Sequence, residues 1–110
     1  FWSGDDYDTL PLMAMGAKGV ISVLANILPN VMSDLCAHAA AGKYEEARQL
    51  HLKYFDLMEK MFIEVNPIPV KTAMNLMGMD VGDLRLPLCE MEEKNLEALK
   101  ASMRNVGIKF

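Results

Sequence analysis

A six-residue run, Gly19-Val20-Ile21-Ser22-Val23-Leu24, restricts this chain more than any other feature. It is β-branched and nearly all apolar, and it is too short and too branched to favour a helix. Such a run reads as a strand buried on both faces, which is the signature of a parallel sheet. Phe1-Trp2-Ser3 reads as the end of another buried strand. Between the two, Gly4-Asp5-Asp6 breaks the strand, and either aspartate is placed to cap a helix. Leu10, Met13 and Ala14 then recur at helical spacing, with Pro11 tolerated in the first turn. Gly16 and Gly19 bracket a short turn. Strand, helix and strand with short connections make a βαβ unit.

Beyond Leu24 only helices are predicted. The first covers 30–41, with Val31, Met32, Leu35 and Cys36 on one side and Gly42 ending it. The longest covers 44–62, with an apolar stripe of Ala47, Leu50, Tyr54, Leu57, Met58 and Met61. Asn66-Pro67-Ile68-Pro69 reads as non-helical, because each proline disfavours α geometry in the residue before it. Pro69 is placed to open a helix over 70–79. Arg85-Leu86-Pro87-Leu88 reads as an extended connector, and a last helix covers 90–106, with Met91, Leu96, Leu99 and Met103 inward and Gly107 stopping it. Two parallel strands followed only by helices form a sheet that cannot close, and its unpaired edges invite association.

Charge and composition remove several function classes. Eleven Lys and Arg against fifteen Asp and Glu leave no basic excess for a nucleic-acid backbone. No apolar run approaches the roughly 20 residues of a membrane span, so no membrane partner is expected. A hydrophobic share of 52% excludes a disordered chain. Two cysteines, Cys36 and Cys89, are too few for a disulfide scaffold, and reduced thiols in a cytosolic protein are the expectation. The apolar opening at Phe1 is read as a cut within something longer.

Searches for chemistry by spacing alone return little. Asp5, Asp6 and Asp8 suggest a cation loop, but Gly16 or Ala17 falls where the bidentate glutamate of an EF-hand belongs. His38 and His51 have no ligand partner at metal-binding spacing and read as helix-surface residues. Cys36 and His38 are two apart and face away from each other on a helix, which disfavours a nucleophile pair. Gly16-Ala17-Lys18-Gly19 follows a helix and precedes a strand, the reverse of a phosphate cradle. A Schiff-base lysine must be desolvated, and most of the eight lysines sit among charges, Lys71 coming closest to an apolar setting. No metal or cofactor is implied, and a helical self-association module with Met-rich faces is one reading.

Three segments together carry a resemblance. Ser3-Gly4-Asp5-Asp6, then Gly19-Val20-Ile21-Ser22-Val23 with Ala25-Asn26, then Asn66-Pro67-Ile68-Pro69-Val70-Lys71 with Arg85-Leu86-Pro87-Leu88, resemble the dihydrodipicolinate synthase family, also called 4-hydroxy-tetrahydrodipicolinate synthase. The likeness runs through essentially the whole chain. The Asn-Pro-Ile-Pro-Val-Lys block favours this family over sialic-acid lyase and other pyruvate-dependent aldolases. Leu24 and Cys89 depart from it, standing where the family usually has threonine.

The resemblance implies the C-terminal part of an α/β (β/α)8 barrel followed by a three-helix domain, the piece itself being predominantly α-helical. Residues 1–42 would supply the last βαβα segment and residues 43–110 the helical domain. It implies a cytosolic, homotetrameric lyase of lysine biosynthesis that joins pyruvate to aspartate semialdehyde through a lysine Schiff base. That lysine, the tyrosine that relays protons, its threonine neighbour and the arginine that binds carboxylate all precede this chain, which alone would be inactive. The positions carried over are walls: Gly4 lining the pyruvate pocket and Ile21 contacting pyruvate, with Ser22 and Asn26 as weaker neighbours. Turn geometry for Gly4 and barrel packing for Ile21 would account for these residue types equally well.

Overall fold

Extended backbone occupies little of this chain. In a computed structural model, which describes residues 1–110, the two strand-like segments meet at a single parallel bridge between Ser3 and Val20. Three hydrogen bonds hold it: Lys18 N–H to the Phe1 carbonyl at 2.8 Å, Ser3 N–H to Gly19 at 2.8 Å, and Ile21 N–H to Ser3 at 3.0 Å. Parallel pairing with an intervening helix is what the βαβ reading expects. The second segment, however, ends at Ile21, before the Leu24 that the sequence suggests. Leu24–Asn26 is a turn of 3-10 helix instead, because a carboxylate from across the ladder takes up the N–H groups of Val23 and Leu24.

Helices make up most of the rest: α1 Thr9–Ala14, α2 Pro29–Ala40, α3 Tyr44–Lys60, α4 Ile68–Leu76 and α5 Glu93–Asn105. Internal contacts divide the chain into two units, Phe1–Phe55 and Asp56–Phe110, so that α3 contributes to both. In the first unit α1 packs on α2, and the 3-10 turn also lies against α2. Met13, Ala17, Ala39 and Ala47 form one buried cluster, flanked by Leu10, Leu12 and Cys36. Three alanines in four members bring the backbones close together, so specificity there rests on shape. Leu24 and Leu35 are wholly enclosed.

Helix ends follow their sequence signals. Pro29 sits in the first turn of α2, where a missing N–H costs nothing. At its other end Gly42 adopts φ 76°, so that Lys43 N–H reaches the His38 carbonyl at 2.8 Å and Gly42 N–H reaches Ala39 at 3.1 Å. This is a Schellman closure, which a residue with a Cβ would resist. Gly107 ends α5 in the same way, with Ile108 N–H on the Met103 carbonyl at 3.0 Å.

In the second unit Leu57, Met58, Met61, Ile68, Val70, Ala73, Leu99 and Met103 are buried, and α4 packs on α5. Three expectations are corrected here. Helix α4 begins at Ile68 and not after the prolines, so Ile68 and Pro69 lie inside its first turn. Burial of Ile68, Pro69 and Val70 outweighs the local preference that disfavours this geometry. Residues 85–88 form a turn, not an extended connector: Leu88 N–H bonds the Arg85 carbonyl at 2.9 Å across a cis Leu86–Pro87 peptide. Helix α5 begins at Glu93, later than the spacing suggests, leaving Met91 outside it. A side chain from another segment fixes that start: Glu64 Oε2 accepts Glu92 N–H and Asn95 Nδ2, each at 3.0 Å.

His51 on α3 stacks edge-on to Phe55 with ring centroids 5.3 Å apart, and Phe55 in turn meets Tyr7 at 6.5 Å. Its Nδ1 is buried without a hydrogen-bond partner, and desolvation holds the imidazole below its ordinary 6.5. The unfolded chain therefore takes up a proton at a higher pH than the folded one, and stability falls as pH drops through 6.5 toward the folded value. Thermal melts at pH 7.5 and 5.5 are expected to show a smaller acid loss for His51→Leu than for the wild type (both pH values are about one unit from the reference pKa of histidine). An unchanged loss would show that His51 is not the titrating group. Leu99→Ala, emptying a fully enclosed site in the second unit, is expected to cost about 2–5 kcal/mol in denaturant unfolding. A cost below about 1 kcal/mol would contradict that packing.

Candidate functional site

The parallel pairing puts the two predicted wall residues side by side. Ser3, whose carbonyl accepts Ile21 N–H, immediately precedes Gly4, so Gly4 and Ile21 stand at the same end of neighbouring segments. Gly4 is exposed, and a Cβ built on it would meet nothing within 4 Å among these 110 residues. Ile21 is 78% exposed. An isoleucine this open is not held by packing within the chain, so its reading as packed core finds no support among residues 1–110. Asn26 is exposed as well and spends its amide on the Val23 carbonyl at 2.9 Å. Ser22 is half-buried and turned inward, with its hydroxyl donating to Asp6 Oδ1.

Asp6 organises this end of the molecule. Its side chain is fully buried, with three donors converging on one carboxylate. Oδ2 accepts Val23 N–H at 3.1 Å and Leu24 N–H at 3.0 Å, while Oδ1 accepts the Ser22 hydroxyl. Ser22 Oγ accepts Ala25 N–H at 2.9 Å in turn. The opening N–H groups of the 3-10 turn, which have no partners of their own, are thereby satisfied. The sequence suggests an aspartate cap for the helix that follows in the chain. Asp5 does stand at the start of that helical segment but makes no side-chain bond to it. Asp6 instead caps a turn sixteen or more residues downstream. The signal is Asp-Asp in a loop beside a β-branched run, and nothing in local spacing tells which turn it serves.

The same charge reaches Cys36 on α2. Burial first, and then the nearby Asp6 carboxylate, push its thiol above the ordinary 9.0. Cys36 is therefore held as a thiol, the opposite of an activated nucleophile. No three His, Cys, Asp or Glu side chains converge as ligands for a metal ion. Among the lysines, Lys60 pairs with Asp56 at 2.8 Å, and Lys71 Nζ donates to the Asp83 carbonyl at 2.8 Å.

A larger concavity, about 690 Å³, belongs to the second unit and contains neither Gly4 nor Ile21. Lys71, Asn75, Leu86, Cys89 and Leu96 are among its walls. Sequence reasoning does not foresee it, because it forms only when residues 80–91 fold back beside α4 and α5. Asn75 fastens that loop, accepting Val81 N–H at 2.8 Å and donating to the Gly82 carbonyl at 3.1 Å.

A parallel bridge with a helix between its halves, followed only by helices, is a β/α arrangement. Comparison with known proteins gives the family. The sequence model of the dihydrodipicolinate synthetase family matches residues 1–106. The chain is 52% identical over 106 residues to the 4-hydroxy-tetrahydrodipicolinate synthase of Methanococcus aeolicus, covering 96% of this chain and 37% of that protein. It is 55% identical over 104 residues to the Clostridium novyi enzyme of the same name, covering 94% and 35%. It also superposes with TM-score 0.93 on the chloride-inhibited dihydrodipicolinate synthase of Acinetobacter baumannii complexed with pyruvate, at 42% identity, covering 98% of this chain and 37% of that one. The chain belongs to the dihydrodipicolinate synthetase family, and it spans a little over a third of the length of these relatives.

The two thiols should separate cleanly. Cys89 is exposed, whereas Cys36 is half-buried with a raised pKa. Timed alkylation at pH 7.5, close to neutrality and below the roughly 8.5 of a free thiol, is expected to label Cys89 at least about tenfold faster than Cys36. Equal rates, read by peptide mass, would contradict the placement of Cys36.

Proposed function

We propose that this chain is the C-terminal portion of a 4-hydroxy-tetrahydrodipicolinate synthase. Residues 1–42 then supply the last βαβα segment of a (β/α)8 barrel, and residues 43–110 the helical domain that follows it. The whole protein condenses pyruvate with aspartate semialdehyde through a Schiff base on a lysine outside these 110 residues. Its setting is the cytosol and its assembly a homotetramer, as in the family. The observation that carries the reading is identity above 50% to two enzymes of that name, aligned over nearly the whole of this chain. The pyruvate complex named for the Acinetobacter baumannii structure supports the choice of keto acid.

On this reading the residues present here bind and shape. Barrel enzymes build their sites at the C-terminal ends of strands, and the place of Gly4 and Ile21 just beyond the Ser3–Val20 bridge supports assigning them to such ends. Gly4 contributes room, since any side chain there would project into the pocket. Ile21 contributes an apolar wall that excludes water from the imine, together with a backbone carbonyl facing the keto acid. Neither residue transfers a proton. The lysine that attacks must be neutral to do so, and its desolvation falls to the rest of the barrel.

Borohydride trapping tests this directly. Full-length protein incubated with pyruvate, reduced and digested is expected to carry one pyruvyl adduct on a lysine outside residues 1–110. The 110-residue chain treated alike is expected to carry none. A stoichiometric adduct on Lys18, Lys71 or any other lysine of this chain would overturn the assignment.

A further inference from the structure

We propose that Asp6 is a positioning residue for substrate binding: its carboxylate sets the place of Ile21 by clamping the three residues that follow it. The proposal rests on the reading above that Gly4 and Ile21 line the keto-acid pocket.

The argument starts from what holds Ile21. Its side chain is 78% exposed, so packing within the chain does not locate it. Backbone ties do. One is Ile21 N–H on the Ser3 carbonyl at 3.0 Å, on the near side. The others are the Ser22 hydroxyl, Val23 N–H and Leu24 N–H, all gathered by Asp6 immediately beyond Ile21. Asp6 lies two residues after Gly4. A single side chain thus joins the segment carrying one pocket wall to the segment carrying the other.

The choice of residue also exceeds what capping needs. A neutral serine or asparagine satisfies opening N–H groups at no ionic cost, whereas a fully buried carboxylate must recover a large desolvation penalty. What the carboxylate adds is a rigid two-oxygen fork. Oδ2 serves two backbone groups and Oδ1 the hydroxyl, and the planar geometry fixes their separation. Ser22 then transmits the hold to Ala25 N–H at 2.9 Å, so four consecutive residues after Ile21 are tied to one point. Small displacements of groups that orient a substrate are costly, up to roughly hundredfold for 1 Å.

The test uses the full-length enzyme with pyruvate and aspartate semialdehyde, and the variants Asp6→Asn, Asp6→Ala, Ser22→Ala and Ile21→Ala. Asp6→Asn keeps an oxygen for Val23 and Leu24 but turns an amide toward Ser22. It is expected to assemble normally and to raise KM for pyruvate about tenfold, with kcat and KM for the aldehyde each within about twofold. Ser22→Ala is expected to raise the pyruvate KM about threefold. Asp6→Asn combined with Ile21→Ala is expected to raise it by less than the product of the single effects, since Asp6 acts through Ile21. If Asp6→Asn and Ser22→Ala leave the pyruvate KM within twofold of wild type while Ile21→Ala raises it, the proposal falls and the pocket assignment stands. If Ile21→Ala and Gly4→Val both leave that KM unchanged, the pocket assignment falls and takes the proposal with it. A melting temperature lowered in Asp6→Ala with an unchanged pyruvate KM would show Asp6 to be structural only.

Discussion

A carboxylate shut away from water is tolerated only when donors of the protein replace that water, and Asp6 gathers three of them from a segment sixteen or more residues away. The parallel pairing itself contributes three hydrogen bonds, too few to make a sheet. Without the clamp the N–H groups of Val23 and Leu24 would be orphaned in a buried turn, at about 1–3 kcal/mol each. The interaction therefore joins several links. It ends the extended segment at Ile21, starts the 3-10 turn, seats Leu24 in the interior and adds to the burial that raises the Cys36 thiol.

Elsewhere the same device recurs in milder form. Glu64 takes the N–H of Glu92 and the amide of Asn95, so the start of α5 is set from outside the helix. Asp56 is held below its ordinary 3.8 chiefly by its bond to Lys60 and then by Ser102, which links the end of α3 to α5. These are exchanges between a side chain and distant partners. The apolar core around them is built of alanine, methionine and leucine, residues with little directional preference. Polar side chains give the packing its register.

What could be read from the residues follows the range of the interactions involved. Four helices were legible within a few residues, because periodicity and terminal Gly and Pro are local signals: Gly42 and Gly107 stop α2 and α5 by their own backbone freedom. The inward stripe of α3 held at Ala47, Tyr54, Leu57, Met58 and Met61, while Leu50 is only half-buried. Apolar patterning predicts parallel pairing of the two segments, and the structure supplies its register, Ser3 with Val20. Most of the differences involve partners far along the chain; the turn at 85–88, closed by Leu88 N–H on the Arg85 carbonyl, is the local exception. Leu24 has the local pattern of a strand, but its cap comes from Asp6, eighteen residues away. Ile68 has a non-helical local preference that its burial outweighs, and Glu90 has helical spacing but lies before the start that Glu64 sets. The wall positions Gly4 and Ile21 came from family likeness, and the clamp that joins their two segments could not come from spacing at all.

The amide of Asn75 has one more implication. By accepting Val81 N–H and donating to the Gly82 carbonyl, it behaves as a gauge for the span that returns to α4. Adding or removing a residue between 76 and 81 would carry both backbone groups out of its reach together. That stretch therefore accepts exchanged side chains more readily than an altered length, which makes one polar side chain an arbiter of which insertions this part of the molecule can accept.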